Sequence, residues 1–270
     1  MAKEAAKQGI KDTDRVSRLI DRWTGEQFGF QQNRESIAYK TAEHLSDGES
    51  LRTETPPPDD DWMNFYSSFA EKATSEKLQD TWARVLAGEI RKPGTFSLRT
   101  IQFISTLDSE IAKDFGDIAD VIFEDRLLFH VFVGADGESF DRVRRLNDVG
   151  LLGNAISWTK TYDNKMSLIQ NKFYTLCLQT EWGIDYKFNA YPLTKVGGEI
   201  YSIMSVNNDF KIVRDFTKAI TRSSRAQRID ILRRKETLEE TFQGQSLGHT
   251  ELVVDHTTGN FVEVTFTEHV

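Results

Sequence analysis

The strongest pattern in the 270-residue chain is a run of apolar residues at helical spacing that ends in a Pro-Gly pair. The run consists of Leu78, Trp82, Val85, Leu86 and Ile90. This spacing places the side chains on one face of a helix, and it predicts a helix from about Ser75 to Lys92. Pro93 and Gly94 then end the helix. Trp82 is the largest residue of the run, so we expect it to anchor a helical core.

Residues 1–45 are predicted to form an N-terminal helical segment. Its apolar residues keep helical spacing from residue 16 onward, and the first of them are Val16, Leu19, Ile20 and Trp23. Gly25 and Gly29 are expected to interrupt this segment, because glycine is a weak helix former.

Residues 46–61 are predicted to be a linker that leads to a helical domain at residues 62–124. The three consecutive prolines of the linker lack backbone donors and favour an extended path. Asp59–Asp61 then precede a helix, where negative charge suits the positive helix end. Ser97 and Asp108 are predicted to cap two further helices of this domain.

Beyond residue 125 the pattern changes, and residues 125–207 are predicted to be winged-helix-like. The order of the predicted elements is a helix ended by Gly150, a pair of strands near 173–179 and 182–188 with Gly183 near the turn, and a helix at 194–204. Residues 208–270 are predicted to form a long basic helix, to about residue 241, and a terminal β-hairpin. The predicted fold class is therefore α+β, with a mainly helical N-terminal half and a winged-helix-like C-terminal half.

Composition is typical of a folded protein from a reducing compartment. The chain has 18 Phe and 5 Trp residues, which supply large apolar side chains for a core. Cys177 is the only cysteine, so no internal disulfide can form, and a cytoplasmic location is predicted. The first residues lack the apolar core of a secretory signal. No run approaches the roughly 20 apolar residues of a spanning helix, so no membrane contact is expected.

Side chains with catalytic potential are few and scattered along the sequence. His249 and His256 lie near Asp255, but a structural zinc site needs about four ligands. Asp255 and Glu263 lie on the predicted hairpin, as the acids of many metal-dependent nucleases do, but Thr265 stands where such sites usually carry lysine. No catalytic residue, metal or cofactor is therefore predicted.

Residues 211–235 carry the clearest electrostatic feature of a chain whose net charge is −8. Nine of their side chains are basic and two are acidic. On a helix, the basic residues at steps of three and four share one face; they are Lys211, Arg214, Lys218, Arg222 and Arg225. Such a face predicts contact with nucleic-acid phosphates or with an acidic protein. The alternative interpretation is that these basic residues form the solvent-exposed outer face of a packed helix and bind no partner.

Residues 78–100 resemble the signature of a bacterial family known only as domain of unknown function 2806. Their sequence is LQDTWARVLAGEIRKPGTFSLRT, and a weaker resemblance extends over about residues 27–205. The shorter Leu-Gln-x-x-Trp-Ala motif is also similar to the Abi-alpha family, named for abortive infection of phage-infected bacteria. Family membership implies a bacterial or phage cytosolic protein and supplies no catalytic residue.

We interpret the signature as architecture, that is, as a set of residues that shape the fold and do not bind a ligand. Its principal residues are Trp82, Gly88, Glu89, Pro93, Gly94 and Arg99. A glycine inside a helix permits close approach of another element, and the Pro-Gly pair forces a turn. Glu89 and Arg99 flank that turn and are expected to pair across it. The alternative is that these charged residues belong to a polar binding surface.

The leading hypothesis is a non-enzymatic interaction protein that recognises nucleic acid or a partner protein, in the setting of phage defence. The rival is a nuclease or another effector enzyme whose site is assembled from residues distant in sequence. A homo-oligomer is compatible with either hypothesis.

Overall fold

The computed structural model confirms the α+β class, and it divides into two compact units, Met1–Thr106 and Leu107–Val270. The described residues are 2–46, 56–124, 126–133, 137–160, 166–179, 186–206, 209–224, 228–234, 245–254 and 261–269. Side chains at several ends of these ranges, including residues 2–14, are not described.

The first unit is helical. Its helices are α1 (Ala2–Ser46), α2 (Asp60–Ala70), α3 (Glu76–Arg91) and α4 (Leu98–Ser105). Three of them begin where a polar side chain accepts a hydrogen bond from a backbone amide of the first turn, and these caps are Asp59, Ser75 and Ser97. The acidic residues before the second helix therefore lie at its N-terminus, as predicted.

Aromatic side chains form the core of the first unit. Trp82 is 1% exposed, and its ring meets that of Tyr66 edge-on at 5.4 Å. The Tyr66 hydroxyl donates to the Trp82 carbonyl at 2.8 Å. The Trp62 ring stacks on Tyr66, and its Nε1 donates to the carbonyl of Phe96 at 2.8 Å. Trp82 is thus a core anchor, as the sequence predicted.

Helix α1 is continuous, so the predicted interruption at Gly25 and Gly29 is wrong. A side chain at either position would meet nothing within 4 Å, so these glycines do not serve close packing. Each glycine lowers the stability of the helix by about 1 kcal/mol relative to alanine, and no packing contact offsets this loss at these positions. Residues 47–55 of the predicted linker lie outside the described residues.

The described residues of the second unit form four α-helices and two antiparallel sheets. The helices are α5 (Ser109–Ala119), α6 (Gly137–Asp148), α7 (Lys195–Ile203) and α8 (Phe210–Ser224), with a short 3-10 turn at His130–Phe132. The strands are β1 (Ile122–Phe123), β2 (Leu127–Phe129), β3 (Ile156–Lys160), β4 (Met166–Gln170), β5 (Tyr174–Gln179), β6 (Tyr186–Pro192), β7 (Arg228–Arg233), β8 (Gln245–Val254) and β9 (Phe261–Glu268). One sheet has the order β1-β2-β6-β3 and the other β4-β5-β7-β8-β9.

The core of the second unit gathers side chains of both sheets around the inner face of α8. Phe216 of this helix is 1% exposed, and its ring lies 4.3 Å from that of Phe123 and 5.5 Å from that of Phe129. Ile229 and Ile231 of β7 are fully buried in the same cluster. Helix α8 therefore takes part in the core and is not a peripheral attachment.

The winged-helix detail is not confirmed. The two strands expected to pair, β5 and β6, lie in different sheets: β5 pairs with β4 and β7, and β6 pairs with β2 and β3. Strand neighbours close in sequence usually form hairpins, but here packing of two separate sheets decides the pairing.

The predicted extent of the basic helix is wrong, because α8 ends at Ser224 and β7 occupies 228–233. In this strand, buried Ile229 and Ile231 alternate with Asp230, which is the period of a half-buried strand. The terminal hairpin is confirmed, since β8 and β9 pair from Gly248–Glu268 to Val254–Phe261. Its predicted turn at 257–260 lies outside the described residues.

A compact ion cluster joins α5 to α6. Asp114 is 5% exposed and accepts a hydrogen bond from Arg145 Nε at 2.7 Å, while Arg142 Nε lies 3.4 Å away. The hydrogen bond from Arg145 holds the pKa of the Asp114 carboxyl below its usual value, against the opposing effect of burial. The carboxylate therefore stays charged in the fold.

Candidate interaction surfaces

The N-terminal part of α1 exposes a row of large apolar side chains. Val16 is 53% exposed, Leu19 66%, Ile20 56% and Trp23 64%. Steps of three, one and three residues place all of them on one side of the helix. We call this set the α1 apolar face. Monomeric proteins expose single apolar residues routinely, whereas contiguous apolar patches are typical of interaction sites, so this face is a candidate surface.

The same side of α1 is buried further along the helix. Ile37 and Thr41 continue the α1 apolar face by helical spacing, and they are 3% and 4% exposed. There the helix packs against α3, and the Thr41 hydroxyl lies 3.5 Å from the Ala83 carbonyl. One helix side thus serves packing within the unit at one end and is exposed at the other.

Polar contacts mark where the packed part of α1 begins. Asn33 donates to the Glu71 carbonyl at 2.7 Å, Arg34 pairs with the Glu71 carboxylate, and Ser36 donates to Gln79 at 2.8 Å. In the described part of the chain, Asn33 is the first residue of α1 that is hydrogen-bonded to another helix. From Val16 to Asn33 the helix advances about 25 Å at 1.5 Å per residue, so the α1 apolar face projects beyond these contacts.

Phe28 is a useful contrast to the α1 apolar face. It is 66% exposed, almost the same as Trp23. It follows Trp23 by five residues, which turns it about 140° around the helix axis. It therefore lies on the same exposed segment but on a different side.

The signature residues build a tight turn between α3 and α4. Glu89 is 2% exposed, and its two carboxylate oxygens accept hydrogen bonds from the Gly94 amide at 2.6 Å and the Phe96 amide at 3.0 Å. Gly94 has a φ of 84°, a backbone conformation that residues with a Cβ rarely adopt. The predicted pairing of Glu89 with Arg99 is wrong, because backbone donors occupy the carboxylate and Arg99 is exposed.

Gly88 explains why this turn packs closely. A Cβ at this position would lie 2.7 Å from the ring of Phe96, which is only 2% exposed. Together with buried Trp82 and Glu89, this contact supports the interpretation of the signature as architecture. Pro93 is half-buried in the turn, so Arg99 is the one signature residue with a largely exposed side chain.

Helix α8 places three of the predicted basic residues on its outer side. Lys211 is exposed, and Arg214 and Lys218 are half-buried. They lie opposite the inner residues of the helix, which are at most 2% exposed and are Val213, Phe216 and Ile220. Arg222 belongs to α8 but its side chain is not described, and Arg225 lies outside the described residues.

Part of this positive charge is already engaged within the second unit. The Arg214 guanidinium and the Lys218 ammonium each lie 5.9 Å from the Phe266 ring centre, and Arg214 Nε lies 3.5 Å from Asp215. Arg228 pairs with Asp230 at 2.8 Å, so it has a structural role in β7. The outer side of α8 is therefore a weaker candidate surface than the sequence suggests.

The hairpin of β8 and β9 brings together two histidines that are far apart in sequence. His249 Nδ1 lies 2.8 Å from His269 Nε2, and the other ring nitrogen of His269 lies 2.7 Å from the Ser246 hydroxyl. Sequence reasoning placed His249 with His256 instead, and His256 lies outside the described residues. Two histidines are too few for a metal centre, and no group of three or more candidate ligands occurs in the described part.

The remaining candidates for chemistry are inert or not described. Cys177 is buried, and burial, helped by the negative charge of Asp230, raises the pKa of its thiol to about 11. Asp255 lies outside the described residues, and the side chain of Glu263 is not described. Among the described helices, none combines the length and apolar character needed to cross a membrane.

Comparison with known proteins identifies a family for this chain. The family described as a protein of unknown function, DUF2806, matches residues 17–217, which is well over half of the chain. The matched range includes the signature, α1 from just after Val16, and most of α8. No curated protein and no solved structure matches the chain. The Abi-alpha resemblance stays a prediction.

Proposed function

We propose that this chain, which belongs to the DUF2806 family, is a non-enzymatic interaction protein that binds a protein partner through the α1 apolar face. The observation that supports this proposal is the exposure of Leu19 and Trp23 to about two-thirds on one side of a projecting helix. A few residues carry most of the binding energy of a protein interface, and tryptophan is prominent among them.

Helix stability supports the same proposal. A helix without tertiary contacts is marginal in water, and Gly25 and Gly29 each weaken α1 by about 1 kcal/mol relative to alanine. Burial of each residue of the α1 apolar face would contribute about 1.5–3 kcal/mol. A partner that covers this face therefore stabilises the helix that presents it.

The test compares two variants of the full chain that differ only in the side of α1 they alter. Trp23→Glu places a charge on the α1 apolar face, and Phe28→Glu places the same charge on the neighbouring side at equal exposure. Tagged parent and variants are isolated from the producing cells, and the bound proteins are identified by mass spectrometry, including untagged copies of the same chain. We expect the parent and Phe28→Glu to retain the same partner and Trp23→Glu to lose it.

Equal recovery of partners by both variants would show that the α1 apolar face is not the docking site. Both replaced side chains are about two-thirds exposed, so the melting temperatures of the variants, measured without bound partner, should stay close to that of the partner-free parent. Any selective loss of a partner can then be attributed to the surface and not to unfolding.

A second candidate function is binding of nucleic acid through the outer side of α8. The observation that favours it is that Lys211, Arg214 and Lys218 share this side. If they contact phosphates, replacing all three with glutamine should weaken binding in a mobility-shift assay and flatten the salt dependence by up to about three units. Absence of any shift with duplex DNA, single-stranded DNA or RNA at low salt would eliminate this candidate.

Phage defence is the biological setting that the Abi-alpha resemblance suggests. If the α1 apolar face is needed there, cells that carry Trp23→Glu should lose protection in a plaquing assay, whereas Phe28→Glu should keep it. Equal protection by the parent and both variants would show that phage defence does not depend on the α1 apolar face.

A further inference from the structure

We infer that the partner of the α1 apolar face is a second copy of this chain. This inference rests on the proposed function, since it names the partner of the same surface. Two properties of α1 support it: the use of the same helix side in helix–helix packing, and the area that a symmetric pair would bury.

The first property is the continuity of the α1 apolar face with an existing helix–helix contact. Ile37 and Thr41 of the same side are buried where α1 packs against α3. This side is therefore suited to a helical neighbour. On the N-terminal side of Asn33, the same side of α1 is exposed, so a second helix can pack there in the place that α3 occupies further along. A second α1 supplies a helix of the right length with a matching apolar row, and symmetric pairing of identical surfaces is the commonest form of assembly.

The second property is area. The four residues of the α1 apolar face are each more than half exposed, and burying them removes on the order of 100 Å² apiece. A symmetric pair thus buries about 800 Å² from these residues alone, and the stems of Arg15 and Arg22 and the half-buried Phe30 add to it. The total reaches about 1,000 Å², where specific interfaces begin, so we expect a dimer of moderate affinity.

The experiment measures the mass of the purified full chain by sedimentation equilibrium from about 1 to 100 µM, the range in which an interface of this size associates. We expect the parent and Phe28→Glu to form dimers in this range, and Trp23→Glu to stay monomeric. A parent that stays monomeric, or a Trp23→Glu variant that still dimerises, would overturn the inference.

Failure of this inference is distinguishable from failure of the proposed function. A monomeric parent that still loses a cellular partner on Trp23→Glu would leave the α1 apolar face as a docking site for a different protein. A monomeric parent with no partner that depends on Trp23 would remove both proposals.

Discussion

Gly197 and Gly198 offer the sharpest test of the packing described for the second unit. Both are near the start of α7, and they are adjacent in the chain. A Cβ on Gly197 would lie 2.1 Å from the Leu151 carbonyl oxygen, whereas a Cβ on Gly198 would meet nothing within 4 Å. Gly197→Ala and Gly198→Ala therefore form a matched pair in which only one methyl group collides.

The magnitude follows from how Leu151 is held. Its carbonyl accepts a hydrogen bond from the Thr194 amide at 3.0 Å, and its own amide donates to Leu146 at 2.9 Å. Relief of the collision requires backbone movement of about 1 Å, and overpacking of this kind costs about 1–3 kcal/mol. Loss of the hydrogen bond from Thr194 adds about 1 kcal/mol. The gain in helix propensity is common to both variants and cancels in the comparison.

We therefore expect Gly197→Ala to be about 2–4 kcal/mol less stable than Gly198→Ala. Differential scanning calorimetry of the two full-length variants measures the difference, which corresponds to roughly 5–15 °C in melting temperature for a unit of this size. Gly198→Ala should melt at or slightly above the parent temperature. If Gly197→Ala is as stable as Gly198→Ala, the close approach of α7 to Leu151 is refuted.

Three further predictions concern buried side chains. Trp82→Ala should cost about 3–5 kcal/mol of unfolding free energy, measured by urea denaturation, and an unchanged curve would contradict its core position. Glu89→Gln should cost about 1–2 kcal/mol, because two backbone amides lose a charged acceptor, whereas Arg99→Ala should stay within about 0.5 kcal/mol of the parent. Asp114→Asn should cost about 1–3 kcal/mol at pH 7, since the arginines that surround the carboxylate are partly exposed. The folded pKa of Asp114 is depressed by Arg145, so its contribution is present above the unfolded value of about 3.9 and is lost as pH falls below it. The parent and Asp114→Asn should converge in stability at acid pH, and a constant difference from pH 7 to pH 3 would contradict this.

Elements with local signals were predictable from sequence. The caps Ser97 and Asp108 accept hydrogen bonds from backbone amides three residues later, as expected from their side-chain type. Both ends of the signature helix lie within one residue of the predicted limits, because the apolar spacing and the Pro-Gly pair act over a few residues. The buried position of Trp82 follows from the same spacing. In these cases, the determining interactions are close in sequence.

Features that depend on distant residues were not predictable in this way. Strands β5 and β6 join different sheets because of partners dozens of residues away. The contact between His249 and His269 exists only after β8 and β9 pair. The end of α8 did have a local signal, since Ile229 and Ile231 alternate with a charged residue, but the density of basic side chains concealed it.

The candidate site was predictable only in part for the same physical reason. Periodicity shows that Val16, Leu19, Ile20 and Trp23 share a helix side, but it does not show whether another element covers them. The structure shows that the packed part of α1 begins near Asn33 and that these side chains are exposed before it. The exposure of these side chains, which periodicity alone does not predict, makes this face a candidate interaction surface.

Hydrogen exchange over residues 16–28 tests the central claim most directly, because it reports whether the α1 apolar face is covered in solution. In an uncovered helix that contains Gly25 and Gly29, backbone amides open easily and exchange fast. At concentrations where the chain is associated, we expect these amides to be protected in the parent and in Phe28→Glu, and to exchange much faster in Trp23→Glu. Equally fast exchange in the parent and Trp23→Glu, both alone and among cellular partners, would contradict the account.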